Sequence, residues 1–145
     1  MSDNIIDILL VEDNPLDVEL TIRTLKKHHI ANNIFVVKDG EEALDFLCCK
    51  GNFSDRNNHH PKVIFLDIKL PKVNGLEVLK TIKMNLALRN IPIVMLTSSI
   101  QDPDIQAAYE LGANSYVVKP VDINSFTETI NKLGIYWLAV NQSPK

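Results

Sequence analysis

Apolar residues gather along this chain in short unbroken runs, at positions 8–11, 34–37, 63–66, 91–96 and 116–118. Runs this short, rich in Val and Ile and lacking polar alternation, read as strands buried on both faces, the habit of a parallel sheet. Between them the apolar positions fall at helical spacing. Asn14 can cap a first helix with Pro15 in its first position, and Leu16, Leu20, Ile22 and Leu25 supply an inward stripe as far as about Lys27. Residues 41–48 form a second helix with Ala43, Leu44 and Leu47 facing in, and Leu76, Leu79 and Ile82 mark a third after Gly75. Asp102 and Pro103 repeat the cap-then-proline signal for a fourth helix of about three turns, which Gly112 ends. The last helix opens with Ser125 and Glu128 at capping-box spacing and places Phe126, Ile130, Leu133 and Trp137 on one face. Residues 50–62, rich in Gly, Asn, Asp and His with no apolar period, are expected to form a surface loop. Strand and helix alternate throughout, which predicts an α/β fold with helices on both faces of a parallel sheet.

Four of the five runs stop on residues that handle phosphoryl groups or metal ions: Glu12 and Asp13, then Asp67, Thr97 and Lys119. In an open parallel sheet, ligands bind outside the carboxyl ends of the strands, so residues a hundred positions apart can share one crevice. Three carboxylates brought together repel one another unless a cation joins them. Hard oxygen donors of this kind suit Mg2+, which keeps several waters and takes one or two carboxylates beside phosphate oxygens. Asp67 sits at a strand tip above the turn residues Pro71 and Gly75, where a carboxylate can act as a nucleophile and form an aspartyl phosphate. Phosphoryl transfer also needs positive charge and donors on the equatorial oxygens, which Lys119 and Thr97 can supply. Pro120 admits a cis bond after Lys119, and the sequence leaves the isomer open. Each residue has a plainer use when taken singly, as helix cap, turn Asp, strand terminator or surface Lys. Their coincidence at four strand ends is what points to one reaction.

Composition narrows the setting. The 145 residues suit one domain over 1–145, with a core over about 6–133, no linker and no repeat, and a net charge of -3 offers no basic field to nucleic acid. No apolar stretch reaches the roughly 20 residues needed to cross a bilayer, and the acidic, polar start MSDNIID is unlike a signal sequence, so no membrane partner and a cytoplasmic location are expected. Cys48 and Cys49 are adjacent, too close for an unstrained bridge, and read as reduced residues at a helix end. His59 and His60 lack the further ligands of a metal site and are assigned no role.

The ordered set LLVEDNP, FLDIKLPKVNG, VMLTSS and YVVKP resembles the receiver domains of two-component response regulators, over residues 6–133. The resemblance implies a flavodoxin-like (βα)5 fold with strand order 2-1-3-4-5. It implies Asp67 as phosphoacceptor from a sensor histidine kinase, Mg2+ held by Glu12, Asp13, Asp67 and the backbone carbonyl of Lys69, and Thr97 and Lys119 on the phosphoryl oxygens. Tyr116 falls at the aromatic switch position of that family, turning inward when Thr97 is drawn to the phosphoryl group. Lys69 and Ser99 are placed near the water that hydrolyses the aspartyl phosphate. The long loop at 50–62 and the apolar end IYWLAVNQ resemble the small single-domain regulators that serve phytochrome-type kinases. Ile135, Tyr136, Trp137, Leu138 and Val140 cannot all face one core, which suggests a homodimer through the last helix or a kinase docking surface. With no effector domain expected, output would pass to a binding partner or to a downstream phosphotransfer protein.

Two other functions share parts of this chemistry. A phosphatase of the haloacid dehalogenase type also pairs an Asp nucleophile with Mg2+, but places it after the first strand in a D-x-D pattern and adds a cap. A flavin-binding module shares the fold, but its phosphate needs backbone donors, and carboxylates of the first loop here would repel it.

Overall fold

A computed structural model describes residues 6–27, 33–56 and 60–133. Five strands and five α-helices alternate: β1 (Ile8–Val11), α1 (Pro15–Lys27), β2 (Ile34–Val37), α2 (Gly40–Cys48), β3 (Val63–Asp67), α3 (Gly75–Lys83), β4 (Ile93–Thr97), α4 (Asp104–Glu110), β5 (Ser115–Val118) and α5 (Ile123–Leu133). All neighbouring strands pair in parallel in the order β2-β1-β3-β4-β5, as the resemblance implied. Side chains alternate across the sheet, and so do their neighbours. Leu9, Val11, Ile64, Leu66, Ile93 and Met95 pack with residues of α2, α3 and α4 on one face. On the other face Ile8, Leu10, Val63, Phe65, Val94 and Leu96 meet Leu25 of α1 and Phe126 of α5. Three layers result, and both faces of the central strands are dry.

Register sets up the site. Val11 pairs with Leu66, Asp67 with Leu96, and Thr97 with Val118, so Glu12 and Lys119 each lie one residue past a paired strand end. Chain hydrogen bonds continue the ladder there, from Glu12 N–H to the Val37 carbonyl at 3.0 Å and from Lys119 N–H to the Thr97 carbonyl at 2.8 Å.

Asn14 caps α1 as expected, accepting from Leu16 N–H at 2.9 Å and Asp17 N–H at 3.1 Å with Pro15 in the first turn. Gly112 follows α4 with φ of 109°, a backbone conformation that favours glycine at a helix end. Four expectations need correction. Leu16 is 61% exposed, because the inward stripe of α1 runs through Val18, Thr21, Ile22 and Leu25 instead. The α4 helix has seven residues, hence about two turns. The cap of α5 is Asp122, whose carboxylate accepts from Ser125 N–H at 2.8 Å, so the helix begins two residues ahead of Ser125. Residues 51–53 form a turn of 3-10 helix, and Phe53 packs edge-on against Phe35 and Phe46, with centroids at 5.9 and 5.1 Å. One aromatic residue has no period, so pattern alone could not find this anchor within the loop.

Cys48 and Cys49 are unbridged and half-buried. His59 and the apolar run from Ile135 to Val140, on which the homodimer expectation rests, lie outside the described residues. Among the described residues no helix is long and apolar enough to cross a membrane.

Candidate functional site

The carboxyl ends of β1, β3, β4 and β5 frame a crevice of about 250 Å³, and all the strand-end residues singled out in the sequence line it. Glu12 and Asp67 are buried, 2% and 4% exposed, while Asp13 stands open to solvent. One oxygen from each comes within 4.8 Å of the others. Glu12 is oriented from behind by Asn14 N–H, at 3.1 Å from Oε2, and Asp67 by Lys69 N–H, at 3.2 Å from Oδ1. The Lys69 side chain is exposed.

Lys119 spans the crevice. Its Nζ lies 3.0 Å from Asp67 Oδ2, 3.1 Å from Glu12 Oε1 and 3.1 Å from Asp17 Oδ2. An ammonium has three N–H donors, so its capacity is filled. The Lys119–Pro120 bond is cis.

Burial and charge pull the ionisation states apart. Loss of solvent, together with hydrogen bonding to and repulsion from Asp67, pushes the Glu12 carboxyl up to about 7, against the opposing pull of Asn14 N–H and Lys119. Burial alone would lower Lys119, but Asp67, Glu12 and Asp17 more than offset it and hold the ammonium above the usual lysine range. Two carboxylates buried this close, one of them driven toward its neutral form, are what a hard divalent cation would relieve. The donor set therefore fits Mg2+.

The Thr97 hydroxyl sits at the same rim, 3.0 Å from the Ser99 carbonyl and 3.2 Å from Asp102 Oδ2. Tyr116 is half-buried on β5 and packs edge-on against Tyr109 of α4, with ring centroids 6.1 Å apart. Ser98, and not Ser99, lines the crevice. Two acidic residues escaped the sequence reading. Asp17 carries no assignment in the sequence, and Asp102 carries only that of a cap. Asp17 lies in the first turn of α1, directly after the strand-end pair Glu12 and Asp13, which is the signal that could have flagged it.

Comparison with known proteins agrees with this geometry. The profile of the response regulator receiver domain matches residues 8–131. The structure of the bacteriophytochrome response regulator AtBRR superposes with a TM-score of 0.85 at 52% identity, covering 92% of this chain and 95% of that one. A probable methanogenesis regulatory protein, FilR2, from Methanothrix harundinacea is 39% identical over 137 residues, 94% of this chain and 86% of that protein. Response regulator Rcp1 from Synechocystis is 37% identical over 131 residues, 90% of this chain and 88% of that protein. The Mn2+-bound form of Rcp1 superposes with a TM-score of 0.74 at 36% identity, covering 95% of this chain and 98% of that one. A phosphatase or flavin module finds no support beside these relatives, and the nucleophile candidate lies on β3 instead of β1. Receivers take a phosphoryl group on an acidic pocket that binds Mg2+ or Mn2+, and this chain, with its strand order, its acidic pocket and its matched profile, belongs to the response regulator receiver domain family.

Proposed function

We propose that Asp67 is the phosphoacceptor, with Glu12, Asp13, Asp67 and the backbone carbonyl of Lys69 as the Mg2+ ligands and Thr97 and Lys119 as the groups that hold the phosphoryl oxygens. The observation that carries this reading is Lys119 Nζ at 3.0 Å from Asp67 Oδ2, a buried carboxylate with a cation already beside it. An oxygen of Asp67 attacks phosphorus, the P–N bond of a kinase phosphohistidine breaks, and its electron pair returns to the imidazole. Mg2+, when bound, neutralises charge on the transferring group. The Lys119 ammonium shifts a donor from the Asp67 carboxylate to a phosphoryl oxygen, and the Thr97 hydroxyl supplies another. Tyr116 then turns inward as Thr97 moves, changing the surface that α4 and β5 present. The chain acts as a signalling protein that is written on, not as a turnover enzyme.

The bacteriophytochrome regulators among its relatives support a phytochrome-type histidine kinase as donor, and a cytoplasmic setting belongs to the same proposal. Residues 1–145 would then work as one receiver, handing its state to a binding partner or a phosphotransfer protein. A homodimer through the last helix belongs to the same proposal; a strict monomer on sedimentation at high concentration, with and without a phosphoryl mimic, removes it.

Phosphotransfer from a phosphorylated histidine kinase, or from acetyl phosphate with Mg2+, labels the wild type and leaves Asp67→Asn unlabelled. Equal labelling of the two proteins overturns the assignment.

A further inference from the structure

A hydroxyl has one proton to give, and the surroundings of Thr97 show where it goes before phosphorylation. Oγ1 lies 3.0 Å from the Ser99 carbonyl oxygen and 3.2 Å from Asp102 Oδ2, both acceptors, while Ser99 N–H donates back to it at 3.3 Å. The second oxygen of the same carboxylate, Asp102 Oδ1, accepts from Asp104 N–H at 2.9 Å, at the start of α4. The backbone closes around this pair, with Asp102 N–H on the Ser99 carbonyl at 3.2 Å and Ile105 N–H on the Asp102 carbonyl at 3.1 Å. One side chain thus touches the hydroxyl at the crevice and the first turn of the helix that carries Tyr109, whose ring meets Tyr116.

We propose that Asp102 is a positioning residue for the phosphorylation switch, holding the Thr97 hydroxyl toward α4 until a phosphoryl group on Asp67 takes it away. The inference rests on the phosphoacceptor assignment of Asp67. Both acceptors compete for the hydroxyl proton, and the carboxylate is the stronger of the two because it is charged. When the proton turns to a phosphoryl oxygen, Asp102 is left with a freed anionic oxygen in the same crevice as the phosphoryl charge. Repulsion between them pushes the β4–α4 connection outward, and the bond from Asp104 N–H to Asp102 passes that displacement to α4. Asp102 therefore favours the unphosphorylated state twice, by holding the hydroxyl and by its charge.

Asn separates these roles from helix capping. It caps about as well as Asp. With its single oxygen on Asp104 N–H, it turns an NH2 group toward Thr97, which cannot accept the hydroxyl proton. Asp102→Asn is expected to raise the rate of phosphorylation by acetyl phosphate with Mg2+ about three- to tenfold, the net scale of one ordinary hydrogen bond, because the Ser99 carbonyl still accepts from the hydroxyl. In a Thr97→Ala background, which has no hydroxyl to hold, the same substitution is expected to lose most of that gain. Asp102→Ser, with another good cap and no carboxylate, repeats the result should the Asn variant be poorly folded. An unchanged or slower rate in these variants overturns the proposal, and so does an equal gain with and without Thr97, which leaves only a general charge effect. Failure of the underlying assignment looks different, since the wild type and Asp67→Asn are then labelled alike.

Discussion

Glu12 carries the most unusual chemistry of any single residue in the crevice. Its carboxyl is pushed up to about 7 from an ordinary value of 4.5, first by burial and then by Asp67. In the metal-free protein the folded chain therefore holds this proton up to about pH 7, whereas the unfolded chain releases it near 4.5. Between those values the folded state binds more protons, so this residue makes stability fall as pH rises through the interval and level off above it. The full effect is on the order of 3 kcal/mol. Glu12→Gln cannot ionise, so in chelator it should nearly match the wild type near pH 4, below the unfolded value, and exceed its stability by about that amount near pH 8. Urea unfolding of both proteins at the two pH values tests this, and a difference that does not change with pH sinks it. The sequence placed Glu12 at the site because it follows a strand end. Its ionisation was not legible, since that depends on the nearness of Asp67, 55 positions away in the chain.

At the level of elements, the strands were read well because a parallel sheet needs apolar residues at every position of its central strands, a signal that survives without knowledge of the partners. Helix ends were read less well. Asp122 beat Ser125 as the α5 cap because its carboxylate reaches both Ser125 N–H and Ser125 Oγ, a geometry that no spacing rule distinguishes. Asp17 and Asp102 are illegible as site residues for a related reason: their importance comes from Lys119, just past β5, and from Thr97 on β4, and nothing local shows it. The start of α3 shows how closely an element can be tied to the site. Gly75 N–H bonds the Ile68 carbonyl at 2.9 Å, and a Cβ on Gly75 would lie 2.2 Å from the Asp67 carbonyl oxygen. That atom is backbone at the strand tip and cannot swing aside, so adding a methyl group must shift β3 or α3. Gly75→Ala is expected to cost about 1 to 3 kcal/mol, as overpacking does, and to slow phosphorylation by moving Asp67. Thermal melting and acetyl phosphate labelling measure the two effects. A variant as stable and as fast as the wild type would show that α3 can retreat without disturbing the acceptor.

Across the whole molecule, the net charge of -3 understates how unevenly charge is arranged. Glu12, Asp13, Asp17 and Asp67 all line one crevice, with Lys119 as the cation bonded among them. Lys119 already spends its three donors on Glu12, Asp17 and Asp67, while the exposed Asp13 has no part in that network. A folded chain so arranged should gain from a divalent ion, whereas the unfolded chain, with these carboxylates dispersed, should not. Ion binding to the folded state alone stabilises it by about 2.7 kcal/mol when the free ion is a hundred times its dissociation constant. For a chain of this size that is a rise of roughly 5 to 15 °C in melting temperature. Mg2+ added to chelator-treated protein should produce such a rise and further chelator should reverse it. Simple screening of the crevice would also stabilise the fold, but it depends on ionic strength and not on the ion. NaCl at matched ionic strength should therefore give a much smaller rise, and Asp13→Asn should shrink the Mg2+ response while leaving the NaCl response nearly intact. If NaCl reproduces the Mg2+ curve, the acidic crevice is only a concentration of charge, and the carboxylates do not form a metal site.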